Sequence, residues 1–178
     1  MRIANVMSCA LIVGCGVVSA SAPPPDSSKP NDASAPVDVA GLEAPFPEGV
    51  EQIVHRHDDL EWGPCPPGPL AGEGCQMAVL EGNPKAEQLF TFRVHITKPF
   101  VLPPHTHPRN ERVTVIDGAL NVGFGDTVDK EASTRFEAGD FYVNRAGAHH
   151  FVWSDEPTTI QLTGIGPWAI HPVGAASE

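Results

Sequence analysis

Two histidines and a carboxylate stand close together in PPHTHPRNERVTVIDG, residues 103–118: His105, His107 and, four residues further, Glu111. Imidazole and carboxylate together suit a borderline divalent metal. In extended chain, residues two apart share a side, so His105 and His107 can face one way. The same spacing recurs in HRHDDLE, with His55, His57 and Glu61, and both copies end in a glycine, Gly118 and Gly68. The two copies differ between the glutamate and that glycine. After Glu111, residues 112–117 alternate like a strand and close on Asp117-Gly118, a strong hairpin signal. After Glu61 comes WGPCPP, and proline cannot donate to a β ladder. His55 and His57 also flank Arg56 and precede Asp58 and Asp59. The first copy therefore reads as a metal site and the second as a solvated surface stretch.

Strands must position such ligands. QLFTFRVHIT sets Phe90, Phe92, Val94 and Ile96 against Thr91, Arg93, His95 and Thr97, a period of two. ERVTVIDG alternates in turn, with ALNVGFG as its expected hairpin partner. DFYVN, HHFVWS, TTIQLTGIG and CQMAVLEG are further short strands, and EQIVHRH reads as an early one. Only DTVDKEAS invites a helical turn. Many short strands separated by turn residues predict an all-β sandwich or barrel.

The chain has 178 residues, enough for one domain of ordinary size. A formal net charge of −11 excludes a protein that tracks nucleic-acid phosphates along a basic stripe. The start, MRIANVMSCALIVGCG, carries one early Arg2 and an apolar run too short to span a bilayer, which predicts export. Two processing routes fit. Ile12-Val13-Gly14-Cys15 resembles a bacterial lipobox, which would remove residues 1–14 and lipidate Cys15. Cleavage near Ala20 is the alternative. The lipobox is preferred because the apolar run ends at Cys15 and a Pro/Ser/Ala-rich stretch comes next. Residues 15–45 are then a disordered tether and residues 46–178 the folded domain. The expected location is the periplasm or, through the lipid, the outer membrane. In an oxidising compartment the remaining pair, Cys65 and Cys75, predicts a disulfide, with two separate thiols as the alternative.

The motifs resemble those of the cupin superfamily across roughly residues 70–170. His105, His107, Glu111 and Gly118 match the first cupin motif, with Pro99 in place of its leading glycine. Gly139, Gly147 and His150 match the second, with Arg145 where proline is usual and Ser154 where asparagine is usual. The resemblance implies a double-stranded β-helix (jelly-roll) barrel and four metal ligands: His105, His107, Glu111 and His150. Fe or Mn is the first expectation for the ion, with Zn, Ni and Cu also used by such proteins. Neighbours on a strand face opposite ways, so His149 is expected at a turn or rim. The resemblance is also to small single-domain cupins without an assigned reaction, and homodimers are common in the family.

Around the metal, His149, His95 and Tyr142 are the candidate acids or bases. Phe90, Phe92, Phe141, Trp153 and Trp168 read as core or pocket wall. Arg93, Gln161 and Thr163 line the pocket if the polar strand faces turn inward, and cover the surface if they turn outward. Two functions fit: a metal-dependent small-molecule enzyme of oxygenase or isomerase type, and a non-catalytic envelope-anchored module that binds or senses a metal or ligand.

Overall fold

A computed structural model describes residues 41–68 and 74–174. The export segment, Cys15 and the tether up to residue 40 lie outside the described residues. The expected tether boundary needs one correction, because the Leu89 amide donates to the carbonyl of Leu42. The folded body therefore takes in residues before 46.

Among the described residues there are eleven strands: β1 (Gly63–Pro64), β2 (Cys75–Gly82), β3 (Leu89–Ile96), β4 (Phe100–Thr106), β5 (Glu111–Asp117), β6 (Ala119–Phe124), β7 (Thr134–Glu137), β8 (Phe141–Asn144), β9 (His150–Ser154), β10 (Thr158–Ile165) and β11 (His171–Pro172). They build two antiparallel sheets, β1-β2-β3-β10-β5-β8 and β11-β4-β9-β6-β7. EQIVHRH is not a strand. Its last residue opens a short 3-10 turn, His57–Asp59. DTVDKEAS forms no helix either; the Asp129 side chain accepts from the amides of Glu131 and Ala132 and makes a turn.

Alternation in β3 decides which side faces in. Phe90, Phe92, Val94 and Ile96 are buried, and they pack in one core with Val113 and Val115 of β5 and Leu162 of β10. Each large apolar side chain so removed from water contributes about 1.5–3 kcal/mol. The opposite face carries a polar ladder between β3 and β10. Thr91 meets Thr163 at 3.1 Å, Arg93 Nε donates to Gln161 Oε1 at 3.1 Å, and His95 Nδ1 meets Thr159 Oγ1 at 2.8 Å. Each is a directly opposed pair in the sheet, the arrangement in which side chains interact most strongly across strands.

Asp117-Gly118 is not a hairpin turn. β5 pairs with β10 and β8, whereas β6 pairs with β7 and β9. The chain crosses from one sheet to the other at this corner. β10 occupies the edge of β5 that a hairpin partner would need, with Thr159 opposite Asp117.

Cys65 and Cys75 are disulfide-bonded, with Cα atoms 5.5 Å apart. The bridge ties β1 to the start of β2 across a sequence separation of 10. Closing a loop of that length restricts the unfolded chain by about 2–3 kcal/mol. Replacing both cysteines with serine is therefore expected to lower unfolding free energy by about that amount, read from urea denaturation with the slope fitted separately for each protein.

Candidate metal centre

The candidate ligands come from strand ends at one end of the barrel. β4 ends on His105-Thr106, and His107 is the next residue. Glu111 opens β5 and His150 opens β9. His105 and His150 are opposed across β4 and β9, in one sheet, while Glu111 arrives from the other. The pairing of β4 with β9 shifts register between Leu102 and His105. That interval holds Pro103 and Pro104, which cannot donate to the ladder.

All four side chains are buried: His105 is 2% exposed, His107 3%, Glu111 7% and His150 1%. The donor atoms of the three histidines lie within 4.8 Å of one another. Each imidazole is fixed through Nδ1 by a backbone carbonyl: His105 by Pro103 at 2.7 Å, His107 by Ala169 at 2.7 Å, His150 by Ala148 at 3.0 Å. A carbonyl can only accept, so Nδ1 carries the proton and Nε2 keeps its lone pair. The Nε2 atoms of His107 and His150 find no hydrogen-bond partner among the described residues. Glu111 faces both, with Oε1 3.4 Å from His107 Nε2 and Oε2 3.5 Å from His150 Nε2. Lone pairs aimed at a carboxylate repel unless a proton or a cation lies between them. This donor set fits a divalent ion.

The site's electrostatics agree. Burial pushes His105 down to about 4, and repulsion from His150 and His107 adds to it. Burial likewise lowers His107. Burial would raise Glu111, but contacts with His150, His107 and Asn144 prevail and hold it below the usual carboxylate range. Burial would lower His150, but the Glu111 carboxylate and the Ala148 carbonyl prevail and raise it. Without metal, His150 is thus the imidazole that takes a proton first.

A small, largely apolar cavity of about 50 Å3 holds this cluster, with Phe92, Leu102, Tyr142, Val152 and Trp168 in its wall. Trp168 stacks on His107, ring centres 4.8 Å apart. Tyr142 is raised well above its ordinary value by burial and by the Glu111 charge. Its phenol stays protonated, so it can donate a hydrogen bond but serves poorly as a base.

Three candidate pocket residues are not in the pocket. Arg93, Gln161 and Thr163 belong to the outer ladder, because the core claims the apolar side of the same strands. His95, a candidate acid or base, lies on that outer face as well and is not part of the centre. His149 stands at the exposed rim with Nδ1 2.5 Å from Asp126 Oδ1. Phe141 is 58% exposed, and Trp153 turns outward, with Lys130 Nζ 4.1 Å from its ring centre. Neither belongs to the core or pocket wall, against expectation. His55, His57 and Glu61 form no cluster; His55 instead meets the Leu80 carbonyl at 2.7 Å.

Asn144 escaped the sequence reading. It lies opposite Glu111 in the β5–β8 pairing, is 3% exposed, and donates to Glu111 Oε2 at 3.0 Å. The one signal for it is parity. In FYVN, Tyr142 and Asn144 share a face, and here that polar face is the inner one. Groups that orient a ligand are worth about 10–100-fold in metal affinity. Asn144→Ala is expected to weaken metal binding within that range, measured by competition with a chromophoric chelator.

Residues 50–169 match the family described as the ChrR cupin-like domain. Two proteins of Oryza sativa subsp. japonica are similar over shorter stretches. Germin-like protein 9-3 is 44% identical over 66 residues, 36% of this chain and 31% of that protein. Germin-like protein 5-1 is 48% identical over 85 residues, 43% of this chain and 38% of that protein. The match thus spans only about a third of these relatives' length. The polyketide cyclase RemF from Streptomyces resistomycificus superposes with a TM-score of 0.58 at 15% identity, over 72% of this chain and 89% of that one, a likeness of fold alone. The matched family, the two-sheet barrel and the two histidine motifs agree: the chain belongs to the cupin superfamily, within the ChrR cupin-like domain family.

Proposed function

We propose that this cupin is a metal-dependent enzyme of oxygenase or isomerase type, holding one divalent ion on His105, His107, Glu111 and His150. The observation that carries the reading is the convergence of imidazole Nε2 lone pairs on a buried carboxylate, with two of them lacking any protein partner among the described residues. Fe or Mn is the first expectation. When bound, such an ion supplies Lewis acidity to a coordinated oxygen atom. The chain's own residues do the rest. The three carbonyls of Pro103, Ala169 and Ala148 aim the imidazoles, Asn144 holds the carboxylate, and the aliphatic and aromatic wall excludes water. Tyr142, kept neutral, is placed to donate a hydrogen bond into the cavity.

The cavity's size supports a second reading. A space of about 50 Å3 admits a few water molecules or a diatomic, whereas pockets for organic ligands run to roughly 300–1,000 Å3. A non-catalytic module that binds or senses a metal or small ligand needs no more room than this. Elemental analysis of protein purified without a chelating tag, with oxygen-uptake and product assays on phenol, sugar and keto-acid panels, separates the readings. Stoichiometric metal with metal-dependent turnover supports the enzyme. Stoichiometric metal with no turnover supports the binding module, and protein that takes up no metal removes the enzyme and the metal-binding form of the module.

An exported, envelope-located protein is part of the proposal. The Cys65–Cys75 disulfide supports it, because such bonds persist in oxidising compartments. The mass of the mature N-terminus tests it: a lipid on Cys15, a chain starting near residue 21, or an intact Met1 that rejects export.

A further inference from the structure

A space larger than the metal-centre cavity lies elsewhere on the barrel. It is a cleft of about 590 Å3 on the outer face of the six-stranded sheet, lined by His57, Trp62, His95, Ile116, Asp117 and Thr159. That volume lies within the range of small organic ligands. Asp117 and Glu111 end the same strand at opposite tips, about 20 Å apart along it at the usual rise. The cleft is thus separate from the metal centre.

The second histidine stretch builds one wall. His55 is tied to the Leu80 carbonyl at 2.7 Å. Eight residues on, Gly63 and Pro64 pair with β2, and the Cys65–Cys75 bridge comes next. Held at both ends, the segment between arches over the sheet, with a 3-10 turn at His57–Asp59. Trp62 leans on His95, ring centres 5.9 Å apart and tilted by 56°. His95 is itself fixed by Thr159 through Nδ1 at 2.8 Å, which leaves its Nε2 free.

We infer that this cleft is a binding site for a small organic cation, an ammonium group carried on an apolar body. Its lining offers an aromatic face, an aliphatic contact, imidazoles and the Asp117 carboxylate, and no Lys or Arg stands among the lining residues. An aromatic face attracts a cation through its quadrupole, and Asp117 supplies the counter-charge. The chain's net charge of −11 draws cations and repels anions. A lone metal ion would leave most of the volume empty, and these side chains do not cluster at metal-ligand distance, unlike the three histidines of the barrel.

The test is a titration of the full-length protein with phenethylammonium chloride, followed by NMR, with 2-phenylethanol as the neutral match. Saturable shifts at the Trp62 indole and at His95 are expected. The alcohol is expected to bind about 3- to 30-fold more weakly, the size of one cation–aromatic contact. Asp117→Asn should weaken the ammonium by a similar factor, and Trp62→Ala likewise. Asp117 is exposed, so D117N reads out binding even if W62A loosens the arch. His150→Gln should leave this titration unchanged. Equal binding of alcohol and ammonium, no saturable shift, full affinity in D117N, or a site that answers to Zn2+ and not to the ammonium would each overturn the assignment.

Discussion

Replacing His150 with Gln is expected to lower divalent-metal affinity by more than about 100-fold while the barrel stays folded. Groups that merely orient a ligand are worth about 10–100-fold, and His150 is a direct donor in this reading. Glutamine approximates the volume of the imidazole but offers an amide oxygen on a flexible stem in place of a fixed Nε2. The pH dependence gives a second readout. Protonated imidazole cannot coordinate. His150 is the histidine of the centre whose pKa is raised, by the Glu111 carboxylate and the Ala148 carbonyl against the effect of burial. His105 is pushed down to about 4 and His107 is lowered too. As pH falls from neutral, wild-type affinity should decline first through His150, and H150Q should lack that first step. Chelator competition across pH, with circular dichroism as the check on folding, measures both. Unchanged affinity in H150Q would remove His150 from the ligand set.

The fold and the ligand spacing were legible because both are local. Phe90, Phe92, Val94 and Ile96 repeat at the period of a strand, and the core takes that face. His105, His107 and Glu111 sit within one short segment, and period two turns them inward with Val113 and Val115. His150 depended on the family motif, since no local rule links residues so far apart. The polar side chains were not legible for a related reason. Thr91, Arg93 and His95 alternate with the core residues as cleanly as a pocket lining would. Only their partners across the sheet, Thr163, Gln161 and Thr159, reveal an outer ladder. β8 reverses the usual sense, exposing Phe141 and Val143 and burying Asn144. Hydropathy alone points that strand the wrong way, because Asn144 is held inside by the Glu111 carboxylate.

The same limit explains the two cavities. Convergent donors mark the barrel interior as the candidate metal centre, yet its free space is about 50 Å3. The outer cleft has ligand-sized room but no cluster of donors at metal distance. Chemistry and volume are divided between the two faces of one sheet. The outer cleft's walls come from four separate stretches of the chain, the arch and strands β3, β5 and β10. Residues 55–62 look like a failed copy of the metal motif when read in isolation, and they become a wall only once the disulfide and the β1–β2 pairing anchor them.

Gly118→Ala is expected to destabilise the fold by about 2–5 kcal/mol, more than loss of the disulfide when the upper half of that range applies. Gly118 has φ +72°, the left-handed region in which a side chain costs about 1–2 kcal/mol. A Cβ there would also come within 2.2 Å of the Pro157 carbonyl oxygen and 3.1 Å of Thr158 Cα. The obstacle is backbone, so no rotamer relieves it, and overpacking of this kind adds about 1–3 kcal/mol. Thr158 cannot retreat freely, because its buried hydroxyl donates to the Ala119 carbonyl at 2.8 Å. In a simple hairpin, Gly118 would face solvent and an alanine would cost only its backbone conformation. The size of the effect in equilibrium denaturation therefore distinguishes the two geometries. A loss near 1 kcal/mol would favour the open turn, and a larger one the corner where β10 crosses above the passage from β5 to β6.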